Sequence, residues 1–497
     1  MTAPLMLGVS GLRGIAGESL THDVAARYAQ AFARWLMNRN HGRAKTIVAS
    51  RDGRAGGDRF LATAIGAMTD VGANVIDIGI ATTPTTAVAV DATHADGAII
   101  ITASHNPQPW NGLKCLVRLT STGDQSNATS SRAHAPALAD ANAIIEHYHA
   151  SDMPSTPSRR GDVTYDPTAV DRHVARVITA IADLPPPRPG CAPAELAEGM
   201  TIALDSVESS GGPAGLALLE SLGCDEVLHL GGGMSGVFPH TPEPTRENLT
   251  SLCEAVRGAG ASIGFAQDPD ADRLAIIDER GEYIGEEYTL VLATMALLEA
   301  GAIADGGVLC ANLSTSRMID DLAARHDARI IRTPVGEAHV AQAIAKSSAA
   351  IGGEGNGGVI WPAVTLVRDS LSAMALVLWL MARRQRPLSS IIADIPAYAI
   401  VKYKIDLPQR AAATTAINAI GSHFAAQTTA AVGVAPGSGS PTFDRQDGLR
   451  IDLPAKRAWL HVRPSNTEPI MRLIAEAPTE TIAIGLIHEA HAATRTT

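Results

Sequence analysis

Three stretches of this 497-residue chain repeat one order of elements, and that repetition constrains the fold more than any other feature. In the first, Thr46-Ile47-Val48-Ala49-Ser50 reads as a strand ending in Arg51-Asp52-Gly53-Arg54. A helix over about 58–71 follows, then Gly72, a strand at Val75–Gly79 and a further strand at Ala98–Ile101. The second copy runs from a strand at Met200–Ser206 through a helix to Leu222, a strand at Glu226–Leu230 and another at Ser262–Ala266. The third has strands at Gly307–Asn312, Ala328–Ile331 and Ala349–Ile351, with a helix over about 316–326 after the first. Strands alternating with helices imply a parallel sheet flanked by helices, so the chain is expected to hold three similar α/β domains. After about Ile395 the pattern changes to alternating strands, such as Ala458–Val462 and Met471–Ala475, closed by a helix over about 479–493. That is a fourth domain of α+β kind. The expected boundaries are 1–155, 156–260, 261–390 and 391–497.

Bulk properties exclude several classes of function. With 40 Lys and Arg against 51 Asp and Glu the net charge is −11, which argues against nucleic acid as a partner. Local arginines can still hold a phosphate in an acidic protein. The five cysteines, Cys115, Cys191, Cys224, Cys253 and Cys310, show no CxxC spacing, so neither a zinc site nor a disulfide framework is indicated. The start of the chain lacks a basic region followed by an apolar core. The longest apolar run, Ala373–Ala382, is too short to span a membrane and is expected to form a buried helix. A cytoplasmic protein without membrane contact is expected.

Each repeated unit ends in a loop with chemistry. In the first, Asn-Pro breaks the strand after Thr102-Ala103-Ser104-His105-Asn106-Pro107, so a small nucleophile, Ser104, stands at a strand end beside an acid/base histidine, His105. In the second, Asp268, Asp270 and Asp272 follow an apolar strand at i, i+2 and i+4. In extended chain these side chains share a face and can bind Mg²⁺, whose oxygen ligands lie at roughly 2.0–2.1 Å. The Gly and late Glu of an EF-hand loop are missing, and Arg273 next to the triad suits a phosphate. In the third, Gly353-Glu354-Gly355-Asn356-Gly357-Gly358 offers a carboxylate and an amide that suit sugar hydroxyls or an amino group. The last domain carries Arg463-Pro464-Ser465-Asn466-Thr467-Glu468-Pro469, a phosphate cradle of one guanidinium and several directional donors, with Arg472 nearby. Near the start, Gly8-Val9-Ser10-Gly11-Leu12-Arg13-Gly14 reads as a glycine-rich turn presenting Arg13.

In this order the four loops resemble those of the α-D-phosphohexomutase superfamily over nearly the whole chain. Supporting matches are Ser10–Gly14, Asn111-Gly112-Leu113-Lys114 and the stretch from Phe238-Pro239-His240 to Glu247-Asn248-Leu249. The resemblance implies three related α/β domains and a fourth of TATA-binding-protein-like fold around a central cleft. It implies Ser104 as a phosphoserine, and Asp268, Asp270, Asp272 and the Ser104 phosphate as the Mg²⁺ site. Arg13, His105 and Lys114 resemble the residues around the transferring phosphoryl group. Glu354 and Asn356 would contact sugar hydroxyls, and Arg463, Ser465, Asn466 and Thr467 would hold the phosphate that stays. The activity implied is interconversion of hexose 6- and 1-phosphates through a hexose 1,6-bisphosphate, by a monomer or homodimer.

Three positions depart from common patterns of the family, the mildest being Trp110 where tyrosine is frequent. The sugar loop ends in Gly357-Gly358 where many relatives have Gly-His, and Arg332-Thr333-Pro334-Val335-Gly336 lacks a frequent lysine, for which Arg332 is the candidate substitute. The sugar loop together with Trp110-Asn111-Gly112-Leu113-Lys114 resembles archaeal-type phosphoglucosamine mutases. Ser465-Asn466-Thr467 is also common in phosphomannomutase/phosphoglucomutase enzymes. The expected substrate is glucosamine phosphate, with mannose or glucose phosphate as the alternative. A serine-dependent metal phosphatase and a sugar-phosphate-binding protein without turnover are the more distant readings. Release of inorganic phosphate, or lack of turnover, would identify them.

Overall fold

The computed structural model describes residues 5–39, 45–118, 132–150, 159–409, 411–430, 439–465 and 470–494. Three of its four sheets share one core order. In the first, Asn74–Ile80, Thr46–Arg51 and Gly97–Ile101 run parallel, and Trp110–Arg118 is antiparallel to the last. In the second the order is Glu226–Leu230, Thr201–Asp205, Ile263–Gln267 and then antiparallel Leu274–Ile277. In the third it is Arg329–Thr333, Val308–Asn312, Ile351–Glu354 and then antiparallel Gly358–Ile360. The expected repeat held three strands; the structure adds the antiparallel return strand. Ser104, the aspartate triad and the sugar loop therefore occupy equivalent places, each at the turn between the third strand and its return.

The central strands are buried on both faces, as parallel sheets covered by helices require: every residue of Gly97–Ile101 and of Ile263–Gln267 is buried. The first sheet grows to eight strands. Met6–Gly8 and Gly11–Ile15 form a hairpin laid against Trp110–Arg118, so Arg13 stands on a strand and not in the turn expected there. Gly11 is required: at φ +91° its Cβ would lie 2.0 Å from the Leu113 carbonyl oxygen.

Strand pairing moves the domain boundaries. A cut after residue 260 would split the second sheet, because Ile263–Gln267 and Leu274–Ile277 complete it. A functional loop cannot end its domain when the chain must come back beside the strand it left. Likewise Val163–Tyr165 pairs in parallel with Asn74–Ile80, so the first sheet reaches beyond residue 155, and a cut after 390 falls inside the helix Leu388–Ile392.

The apolar run at 373–382 lies in the helix Ser370–Arg384, whose first thirteen residues are all buried. It belongs to one continuous core that joins the second and third domains. Asp369 caps it, accepting from the Leu371 and Ser372 amides, and also meets His173 Nε2 at 3.2 Å. The fourth domain is α+β: an antiparallel sheet in the order Ala399–Asp406, Ile470–Ala477, Ala458–Pro464, Leu449–Leu453, Thr442–Asp444 carries the helices Ala412–Ala430 and Glu480–Ala493 on one face. Among the described residues no helix is long and apolar enough to cross a membrane.

Candidate active site

Ser104 leaves its buried strand in a left-handed conformation, φ +49°. For a residue with a side chain this costs about 1–3 kcal/mol, so surrounding groups must impose it. They do: its N–H donates to Thr102 Oγ1 (2.9 Å), whose hydroxyl donates to Asp52 Oδ2 (2.7 Å). Its carbonyl accepts from Arg54 Nη2 at 2.8 Å, and the same guanidinium holds the carbonyls of Asn106 and Pro107 at 3.0 and 2.8 Å. The Ser104 hydroxyl is thereby aimed across the domain boundary and donates to Asp268 Oδ2 at 2.8 Å. His105 Nδ1 lies 3.3 Å from Ser104 Oγ.

Asp268, Asp270 and Asp272 are fully buried, with one carboxylate oxygen from each within 4.8 Å of the others. Thr83 Oγ1 donates to Asp270 Oδ2 (2.7 Å), while Asp270 Oδ1 and Asp272 Oδ1 are buried with no hydrogen-bond partner among the described residues. Burial and the charges of Asp270 and Asp272 push the Asp268 carboxyl well above its ordinary range. Burial acts the same way on Asp272, but Arg368, Lys114 and Arg273 outweigh it and hold that carboxyl far below its ordinary value. Three oxygen donors with two orphaned buried lone-pair carriers fit a hard divalent cation such as Mg²⁺.

Cations surround the triad. Lys114 Nζ lies 2.9 Å from Asp272 Oδ2, 3.5 Å from Asp270 Oδ2 and 3.6 Å from Glu337 Oε2. Burial alone would lower its pKa, but these carboxylates raise it and hold Lys114 as a positive charge beside the triad. Arg13 Nη1 donates to Asn106 Oδ1 at 2.8 Å, bracing the serine loop from the sheet's edge. Burial, with Arg273 and Arg13 nearby, lowers the His105 pKa to about 3, leaving a neutral imidazole beside Ser104. Arg273 Nε is 3.8 Å from Asp272 Oδ1 and makes no hydrogen bond of its own among the described residues.

The sugar loop joins this cluster through Arg368, which reaches Asp272 Oδ2 at 2.5 Å and Glu354 Oε2 at 2.7 Å. Glu354 also accepts from Asn312 Nδ2 (2.8 Å) and the Gly336 amide (3.0 Å), so its carboxylate is buried and held by three donors. Asn356 Oδ1 is buried and without a partner among the described residues. Arg332 is already committed: it donates to the carbonyls of Asn312 and Thr315 at 2.8 and 2.9 Å and pairs with Asp320.

In the fourth domain Arg463 ends a strand and sits 3.2 Å from Asp447, while Asn466 and Thr467 lie outside the described residues. The Ser465 amide donates to the Ile470 carbonyl at 2.9 Å. Arg463 stands directly opposite Arg472, and Arg472 opposite Lys404, which lines three cations across the sheet. Like charges in such a row repel, so an anion on that face would relieve them. The same face docks on the third domain: Ser314 Oγ meets His461 Nδ1 at 2.8 Å, and the adjacent amides of Val335 and Gly336 donate to Asp447 (3.1 Å) and Glu354. Adjacent amides thus hold Glu354 and Asp447, the partner of Arg463.

Sequence reasoning missed Asp52, Arg54, Thr83, Glu337, Arg368 and Asp447. Arg51-Asp52-Gly53-Arg54 did carry a signal, since it ends a strand where a functional loop is expected; Arg368 was marked by standing just before a long apolar helix.

Family models for the phosphoglucomutase/phosphomannomutase α/β/α domains I, II and III match residues 4–128, 188–281 and 285–398, and the C-terminal domain matches 409–491. A phosphoglucomutase/phosphomannomutase of Thermococcus kodakarensis is 31% identical over 96% of this chain and 95% of its own. A probable phosphoglucosamine mutase of Methanopyrus kandleri is 30% identical over 95% of this chain and 94% of its own. A phosphoglucomutase/phosphomannomutase family protein of Burkholderia thailandensis has the same fold, with a TM-score of 0.77 and 22% identity over 99% of this chain and 98% of that one.

Proposed function

The chain belongs to the phosphoglucomutase/phosphomannomutase family and is a phosphohexomutase, an intramolecular phosphotransferase of the isomerase class; on that premise we propose that it interconverts glucosamine 6-phosphate and glucosamine 1-phosphate through a phosphoserine at Ser104. The observation that carries the serine's role is the 2.8 Å contact between its hydroxyl and the buried triad. Phospho-Ser104 gives its phosphoryl group to the free hydroxyl of the sugar monophosphate. The sugar oxygen–phosphorus bond forms as the Ser104 oxygen–phosphorus bond breaks. The hexose 1,6-bisphosphate so formed turns in the cleft, and its other phosphoryl group returns to Ser104.

Such transfer depends on positioning and charge more than on covalent help. Asp268, Asp270, Asp272 and the Ser104 phosphate would hold Mg²⁺, which when bound draws charge from the phosphoryl oxygens. Lys114, Arg13 and Arg273 bring further positive charge to the same place. His105, whose Nδ1 lies 3.3 Å from Ser104 Oγ, is the group placed to take the hydroxyl proton. Glu354 and Asn356 face the sugar hydroxyls, and Arg463, Ser465, Asn466, Thr467 and Arg472 hold the phosphate that stays.

The name of the Methanopyrus kandleri relative supports the amino sugar. The Thermococcus kodakarensis relative favours a second reading, mannose or glucose phosphate. The names of these two relatives give a phosphatase no support. Purified protein with Mg²⁺, a hexose 1,6-bisphosphate primer and each 6-phosphate in turn decides between them. The proposal predicts the highest kcat/KM with glucosamine 6-phosphate. A higher value with mannose or glucose 6-phosphate would replace it with the second reading, and conversion of none would overturn both.

A further inference from the structure

We propose that Asp52–Arg54 is the positioning frame that decides whether the phosphoryl group on Ser104 passes to sugar or is lost to water, an inference that rests on Ser104 being the phosphoserine. The segment touches both halves of the catalytic contact. On one side Arg54, 1% exposed, binds three carbonyls of the serine loop, and Asp52 fixes Thr102, which fixes the Ser104 amide. On the other side the Gly53 amide donates to Ser209 Oγ at 2.8 Å, and that hydroxyl donates to the Pro269 carbonyl at 2.7 Å, inside the metal loop. The serine loop belongs to the first sheet and the metal loop to the second, and this three-residue segment bonds to the first directly and to the second through Ser209. Phe238 of the second domain closes the frame, its ring 4.7 Å from the Arg54 guanidinium.

Lysine cannot do this work. It carries the charge, but its single ammonium cannot span carbonyls that a planar five-donor fork holds together. Ser104 is the residue that most needs the fork, because its left-handed backbone has other conformations available as soon as the loop loosens. A loosened serine keeps its phosphoryl group but presents it less well to the sugar hydroxyl. Water, which needs no orientation by the enzyme, then takes a larger share, attacking phosphorus to leave the Ser104 hydroxyl and inorganic phosphate.

The test is the ratio of inorganic phosphate released to sugar isomerised, measured on the primed enzyme with Mg²⁺ for wild type, Arg54→Lys and Ser209→Ala. This ratio does not depend on how much enzyme is folded, so a merely structural role for Arg54 leaves it unchanged. Arg54→Lys is expected to lower kcat about 100-fold, with KM for the sugar phosphate within about threefold of wild type, and to raise the ratio at least about tenfold. Ser209→Ala, which keeps Arg54 and cuts the link to the metal loop, is expected to raise the ratio by a smaller factor, and it carries the test should Arg54→Lys not fold. Wild-type ratios in the folded variants would overturn the frame. Full isomerisation by Ser104→Ala would instead overturn the phosphoserine reading, so the two failures are distinct.

Discussion

Arg368 shows how much one side chain carries in this site. It is buried and pairs with Asp272 and Glu354, and lies 3.9 Å from Glu337. A buried charge stripped of its partner is more costly than the pair was favourable. Arg368→Met leaves Asp272, Glu354 and Glu337 short of positive charge, so we expect a loss of about 3–5 kcal/mol in urea unfolding at neutral pH, partly recovered by added Mg²⁺. Equal unfolding midpoints for variant and wild type would contradict that. Lys114 was recognised from its motif, but its setting was not readable there: the sequence shows a lysine next to Leu113, while the structure shows an ammonium locked among three acids from two other domains. Glu354 is the reverse case. A carboxylate in a glycine-rich loop looks free, yet Asn312, Gly336 and Arg368 of the same domain already hold it.

At the scale of elements, the strands of the fourth domain explain what alternation can and cannot reveal. His461, Arg450 and Glu476 alternate with apolar residues, the pattern of a face open to water. All three are buried, because the third domain covers that face. His461 Nε2 donates to the Asp447 carbonyl at 2.7 Å, which leaves Nδ1 to accept from Ser314. Burial lowers the pKa of this histidine to about 4. The unfolded chain, with the ordinary value near 6.5, therefore binds more protons than the native state as pH falls. Stability is predicted to drop between about pH 6.5 and 4 through this group, and His461→Gln should flatten that part of a thermal-melt series; an unchanged pH slope in the variant would count against it. The row Lys404–Arg472–Arg463 gives a second prediction for the same sheet. Arg472→Ala is expected to raise KM for the hexose 6-phosphate about tenfold with a smaller change in kcat, and a change confined to kcat would contradict phosphate binding there.

For the whole molecule, the threefold repeat was open to sequence reasoning because buried parallel strands are continuous apolar runs. Thr46–Arg51 and Ile263–Gln267 lay within a residue of where they were expected. The return strands escaped notice because they are short, as in Gly358–Ile360, or hidden within a motif, as in Trp110–Arg118. Missing the second of them, Leu274–Ile277, put the cut at 260 through a sheet. The loops' chemistry could be read residue by residue; their convergence could not, because it depends on bonds such as Thr83 to Asp270 and Ser104 to Asp268 between separate sheets. Those bonds make the assembled cleft, and the cleft makes the account testable in one step. Incubation with Mg²⁺ and a hexose 1,6-bisphosphate carrying isotope-labelled phosphate, followed by peptide mass spectrometry, should find one labelled phosphoryl group on Ser104, and a chase with unlabelled hexose 6-phosphate should move the label into sugar phosphate as hexose 1-phosphate appears, leaving unlabelled phosphate on Ser104. Product formation with Ser104 unmodified throughout, or undiminished turnover by Ser104→Ala, would contradict the account.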